Sequence, residues 1–251
     1  MNISRHNDEI HRNLRAWGNK PVLREIYRSF HRLISEQLVH GPDSRTVELG
    51  SGIGNIKEVI PNCIRTDLFP NPWIDRVENA YNLSFQDDTV ANVILFDMFH
   101  HLRYPGTALR EVCRVLIPGG RLIVFDPCMS LLGWIIYGLF HHESLGLLTD
   151  IRMFAPPRWS HQDDIYYAAQ GNASRIFRDK SQLSFCLPDM LLIRKQRISA
   201  ISYVASGGYS KPQLYPDALY PAMQLVDRIC DFVPCLFATR LLVVMEKKQG
   251  A

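Results

Sequence analysis

Net charge and long apolar runs are both scarce in this chain of 251 residues. Lysine and arginine number 28 against 25 aspartates and glutamates, a net charge of +3. So even a balance projects no field strong enough to imply nucleic acid as a partner. The most lipid-like stretch, Met129 to Phe140, is shorter than the about 20 apolar residues of a transmembrane helix, and it runs straight into His141-His142-Glu143. No transmembrane segment is therefore expected. The opening MNISRHNDEIHRNLR is polar and lacks the apolar centre of a signal peptide. The six cysteines form no C-x-x-C pair and no regular framework. They read as reduced, mostly buried thiols, which fits a cytoplasmic protein. Internal repeats, low-complexity tracts and Ser/Gly linkers are missing too. What remains is 47% hydrophobic and 21% charged, ordinary values for a globular enzyme able to bury a real core.

The pattern that is present alternates strands with helices. Pro21 to Val39 has helical periodicity, with Leu23, Ile26, Tyr27, Phe30, Leu33, Ile34 and Leu38 on one face. Arg24, Arg28 and Arg32 form a stripe on another face, most simply a solvated one. Thr46–Leu49, Cys63–Leu68, Arg76–Asn79, Val90–Met98 and Arg121–Asp126 read as successive strands. Between them come a short helix ending before Pro61, a helix over Ala108–Leu116 and a turn at Pro118-Gly119-Gly120. Near-continuous apolar strands of this kind indicate a mostly parallel sheet covered on both faces. Ile193–Val204 alternates like a half-exposed strand, Tyr220–Phe232 is helical, and Leu241–Glu246 is a buried closing strand. The expected fold is α/β, a Rossmann-like doubly wound sheet of about seven strands with one antiparallel C-terminal strand. The expected organisation is a single domain with an N-terminal helical segment (1–42), a core (43–127), an insertion or cap (128–190) and C-terminal strands and helix (191–251).

The segment Val47-Glu48-Leu49-Gly50-Ser51-Gly52-Ile53-Gly54-Asn55 places a bare turn between a strand and a helix. Such a turn lets main chain touch a ligand, because no Cβ stands in the way. Dinucleotide sites space their glycines G-x-G-x-x-G, whereas here they run G-x-G-x-G with Glu48 just inside the strand. An acid at that point repels pyrophosphate and suits a cation. Asp67, at the end of the second strand, can accept both hydroxyls of a ribose. A cationic amino acid joined to ribose and adenine describes S-adenosylmethionine.

These residues resemble the class I S-adenosylmethionine-dependent methyltransferases, in the group dominated by small-molecule acceptors. The resemblance runs from about Thr46 to Pro127 and includes the Phe96–Leu102 loop and the Arg110–Leu122 helix–turn–strand. It implies that Glu48, Gly50, Ser51, Gly52 and Gly54 form the first cofactor loop and that Asp67 holds the ribose. It further implies that Asn79 and Ala80 meet the adenine, and that Asp97 lies in the loop under the sulfonium. The group usually has Asp-Ala where this chain has Asn79-Ala80, and Phe-Asp where it has Ala91-Asn92.

A hydroxyl acceptor needs a base near neutral pH, and His100 and His101 stand at the end of the fourth strand. His142 is a further candidate base. Tyr137, His141 and Glu143 end an apolar helix and are candidate contacts to the acceptor. Adjacent helical residues diverge by about 100°, so His141 and His142 make poor joint metal ligands, and no metal is expected. Ser206-Gly207-Gly208-Tyr209 is a chain reversal or an approach point for the acceptor.

The leading expectation is methyl transfer to a small-molecule acceptor, lipid- or sugar-linked in some versions, with peripheral membrane contact as an option. The alternatives are a non-catalytic partner that kept the fold, and a nicotinamide-dependent oxidoreductase, which the glycine spacing and Glu48 oppose.

Overall fold

The computed structural model describes residues 3–42, 44–140, 145–146, 150–160 and 167–250. Seven strands form one sheet in the order β3-β2-β1-β4-β5-β7-β6. They are β1 (Thr46–Leu49), β2 (Ile64–Asp67), β3 (Arg76–Val77), β4 (Val90–Phe96), β5 (Leu116–Pro127), β6 (Met190–Ser199) and β7 (Ala238–Lys247). Every pairing from β3 through β5 is parallel. β7 runs antiparallel to both β5 and β6. The expected architecture, with its one antiparallel closing strand, is the one observed. Among the described residues no helix is long and apolar enough to cross a membrane.

Alternation along the central strands builds two cores. Val93 and Leu95 of β4 face one, together with Leu122 and Val124 of β5. Ile94, Phe96, Ile123 and Phe125 face the other. The second core is closed by helix α2 (Pro21–Ser35), which buries Leu23, Ile26, Tyr27, Phe30 and Ile34. Pro21 suits the first turn of α2 because its missing N–H would have had no partner there. On the first face lie α3 (Pro105–Val115), α5 (Asn172–Ile176) and α6 (Lys180–Cys186), with α4 (Leu131–Ile135) following β5.

Several expectations need correction. Helix α1 (Ile3–Asn19) precedes α2, and Lys20 separates the two. The Lys20 ammonium donates to the carbonyls of Gly208 (2.6 Å) and Lys211 (2.5 Å), tying this hairpin to a distant loop. The helix after the glycine turn is a single 3-10 turn, Asn55–Glu58. Gly54 starts it in the left-handed region and Pro61 follows closely, so too few residues remain to nucleate an α-helix. Pro118-Gly119-Gly120 lies inside β5 as an irregularity, where the register jumps from Val90↔Leu116 to Asn92↔Arg121. The strand expected over Ile193–Val204 runs from Met190 to Ser199 and gives way to α7 (Ile201–Ala205). The cause is tertiary. Asp231 and Asp227, in and after α8 (Tyr220–Cys230), accept from the backbone N–H of Ser199 (2.6 Å) and Ser202 (3.0 Å), turning the chain into a helix. The arginine stripe is largely used within the protein: Arg28 pairs with Glu25 and Glu58, and Arg24 donates to the carbonyl of Trp17.

Candidate active site

The carboxyl ends of β1 to β5 open into a cavity of about 860 Å³. Its floor on one side is the glycine turn, where each glycine does something different. Gly52, with φ of +52°, has nothing within 4 Å of where a Cβ would sit, so its backbone borders open space. A Cβ on Gly50 would strike Met98 at 2.8 Å, and one on Gly54 would strike the Trp73 carbonyl at 2.5 Å. Gly50, Ser51 and Gly52 line the cavity, while Gly54 packs behind the loop. The turn is pinned to β2: Ser51 donates its N–H to the Thr66 carbonyl (2.8 Å), and the Thr66 N–H donates to the Ser51 hydroxyl (3.1 Å).

Three acids stand around this turn. Glu48 is buried, and its Oε2 has no hydrogen-bond partner. Burial pushes its pKa up to about 7, with the Ser51 hydrogen bond opposing the rise and the charge of Asp67 adding to it. Asp67, also buried, accepts from the Gly52 N–H at 3.1 Å, and His6 of α1 sits 3.5 Å from its other oxygen. Burial raises the Asp67 pKa too, against the opposing charge of His6. Glu78 lines the cavity as well, but its carboxylate is held by the Ser84 N–H (2.8 Å), the Ser84 hydroxyl and Arg76.

The opposite side is built differently. His100 and His101 form a 3-10 turn (Phe99–His101) after β4, with ring centroids 4.1 Å apart. His100 is 3% exposed, and its Nδ1 lies 2.9 Å from Oδ1 of Asp126, a fully buried residue near the end of β5. His101 Nδ1 lies 2.9 Å from the Tyr167 carbonyl. A carbonyl only accepts, so Nδ1 is the donor in that contact. Asp126 likewise accepts from Nδ1 of His100. Beyond them, Arg240 at the start of β7 is buried, pairs with Asp97 and lies 4.3 Å over the ring of Tyr203. Tyr27, Tyr137, Tyr203 and Tyr209 line the same wall. Burial raises all four phenols, so they stay protonated and orient groups instead of abstracting protons.

Residues 47–124 match the family model described as a methyltransferase domain. The matched stretch, about a third of the chain, is similar to a methyltransferase domain. The fold as a whole resembles a geranyl diphosphate C-methyltransferase from Streptomyces coelicolor A3(2), with a TM-score of 0.50 and 13% identity over 87% of this chain and 75% of that one. That protein was crystallised with Mg2+, geranyl-S-thiolodiphosphate and S-adenosyl-L-homocysteine. The YcgJ protein from Bacillus subtilis gives a TM-score of 0.49 at 14% identity, over 88% of this chain and 98% of that one. At 13% identity the likeness to the first of these speaks for the fold alone. Comparison with curated protein sequences gives no significant match.

The residues singled out from sequence mostly converge. Glu48, Gly50, Ser51, Gly52, Asp67, Asn79, Ala80, Asp97, His100 and His101 all line one cavity, and Tyr137 joins them from the insertion. Gly54 is the exception, set behind the loop. Asn79 spends its side-chain carbonyl on the Tyr81 N–H (3.0 Å), and Asp97 is engaged with Arg240. His141, His142 and Glu143 lie outside the described residues. Sequence reasoning misses Asp126, Glu78, Arg240, Tyr27, Tyr203 and the α1 residues His6, Glu9 and Asn13. Two of them carry a signal. Asp126 closes an apolar strand, and Arg240 interrupts the apolar pattern leading into Leu241–Met245.

Proposed function

We propose that this chain is an S-adenosylmethionine-dependent methyltransferase acting on a small-molecule acceptor, of a class that includes lipid- or sugar-linked compounds. The observation that carries this reading is the buried, partnerless Oε2 of Glu48 beside the open space at Gly52. A buried carboxylate without a donor costs free energy that an ammonium ligand would recover. The donor set fits the cofactor. Glu48 would take the ammonium, the bare backbone of residues 50–52 the methionine portion, and Asp67 the ribose diol, with Ala80 against the adenine.

When bound, the cofactor supplies an activated methyl on a sulfonium whose departure leaves a neutral thioether. The protein's own part is mostly placement and exclusion of water. Ile10 and His6 of α1 border the cavity. His100, oriented through Nδ1 by Asp126, is the group best placed to take a proton from an acceptor hydroxyl at Nε2. Tyr27, Tyr203 and Tyr209 border the cavity where an acceptor would sit, while the Tyr137 hydroxyl donates to the Thr239 carbonyl (2.9 Å). These aromatic rings, together with Ile136, Pro127 and Leu214 on the cavity wall, favour an acceptor with a substantial apolar or ring portion.

Titration calorimetry with S-adenosylmethionine, S-adenosylhomocysteine and NAD tests the cofactor. Binding of the first two and not the third is the expected result, and binding of NAD alone overturns the reading. Methyl transfer from labelled cofactor to lipid and small-molecule extracts then tests the acceptor class.

A further inference from the structure

The insertion that lines the cavity with Ile136 and Tyr137 turns its other side to solvent. Leu131 is 59%, Trp134 46% and Leu139 75% exposed. α4 packs against α9 (Pro234–Phe237), which leads into β7. There, and on the adjoining α8, Ile229 is 57%, Phe232 87% and Leu236 40% exposed. The result is a tip with several large apolar side chains turned to solvent. It lies at the cavity end of the sheet, because α4 follows Pro127 and α9 precedes Arg240, and these two residues pair across β5 and β7.

Two features bear on what covers this tip. First, the acids of α8 and its end are withdrawn from it: Asp227 binds Ser202 and Asp231 binds the Ser199 N–H. Secondly, a cationic group flanks it. β6 ends alongside the start of β7, where Arg197 pairs with Leu241. Lys195 donates to the Phe177 carbonyl (2.9 Å), next to Arg178, and α6, which opens with Lys180, packs on β6, so Arg178, Lys180, Lys195 and Arg197 share one neighbourhood. Lys195 and Arg197 also act on Cys128, at the base of α4. Arg178, Lys180 and Arg197 are exposed.

We propose that the α4–α9 tip docks on the surface of an anionic lipid bilayer, with Trp134, Leu139, Phe232 and Leu236 entering the interfacial layer and the Arg178–Lys180–Lys195–Arg197 group meeting lipid headgroups. A half-exposed tryptophan beside aliphatic side chains suits the water–lipid boundary, and flanking cations suit an anionic leaflet. Docking there would set the cavity next to the membrane. The inference stands on surface residues alone and does not depend on the methyl-transfer reading.

Flotation of the full chain with vesicles of phosphatidylcholine alone, or of phosphatidylcholine with phosphatidylglycerol, is the test. Binding is expected only to the anionic vesicles, to weaken as salt is raised, and to shift the Trp134 emission to the blue, as judged against Trp134→Phe. Phe232→Ser/Leu236→Ser and Lys180→Glu/Arg197→Glu should each lower the partition coefficient at least about tenfold. All four positions are exposed, so both variants should keep the parent's melting temperature. Absence of flotation with either vesicle overturns the proposal, as does flotation that both variants retain. A dimer in sedimentation that Phe232→Ser/Leu236→Ser dissociates, without vesicle binding, would assign the tip to a second copy instead.

Discussion

The cavity has two walls, and they are made in opposite ways. The wall at β1 and β2 is backbone: a turn of glycines and Ser51, stitched to the neighbouring strand, with Glu48 and Asp67 as its charges. The wall at β4, β5 and β7 is side chain: His100 on Asp126, Arg240 on Asp97, and four tyrosines drawn from α2, the insertion, α7 and the loop after it. A backbone wall can be specified by a few contiguous residues, whereas a side-chain wall is assembled from positions scattered over the whole chain. Such a division suits a constant ligand on the first wall and a variable one on the second.

Substitutions can break this contrast, and the largest effect belongs to the backbone wall. Gly52→Val fills the open space on the turn and strains a φ of +52°, so cofactor affinity should fall at least about 100-fold by calorimetry. Unaltered affinity would remove the turn from the site. On the side-chain wall, His100→Ala should lower kcat by about 100-fold or more while leaving cofactor affinity in place. Asp126→Asn should act through His100, lowering kcat less and displacing the acid limb of its pH profile; an unmoved profile would make the pair structural.

Stability separates the walls too. Arg240→Met removes the partner of Asp97, whose side chain is 27% exposed to the cavity, and should cost about 1–3 kcal/mol in denaturant unfolding. Asp97→Asn/Arg240→Met should recover much of that loss, because neither charge is then left alone.

The smallest effect is also the most diagnostic. Glu48 has a pKa of about 7 in the folded protein against 4.5 in a free chain. The folded state therefore holds this proton more tightly, and the stability it contributes below pH 4.5 is lost as pH rises through 7. The loss amounts to about 3 kcal/mol at most. Glu48→Gln should flatten that pH dependence and raise the melting temperature of the ligand-free protein near pH 8, while weakening cofactor binding about tenfold or more. In the parent, cofactor affinity should rise between about pH 6 and 8, since the ammonium requires the ionised acid.

Legibility follows the same division. The strands from Thr46 to Asp126, the glycine turn and the acids beside it can be read because each lies within a short segment with its own period or turn chemistry. His100 and His101 are visible as a pair, but the partner that orients His100 is not, since Asp126 is 26 residues away. Tyr27 reads as core, and it does pack there while also bordering the cavity. Ser206-Gly207-Gly208-Tyr209 reads as the end of a strand. The carboxylates of Asp227 and Asp231 convert the stretch before it to a helix, and no local pattern encodes their arrival.

The amino-acid order by itself determined the α/β alternation and the bare turn with its two acids. Each of these depends on hydrophobic period or on backbone freedom, which are properties of neighbouring residues. Only the tertiary structure decided that α1 borders the cavity, that Asp126 holds His100, that Arg240 pairs with Asp97, and that α4 and α9 join into one apolar tip. Those are meetings between distant segments, and their partners are chosen by packing in three dimensions, where sequence separation carries no information.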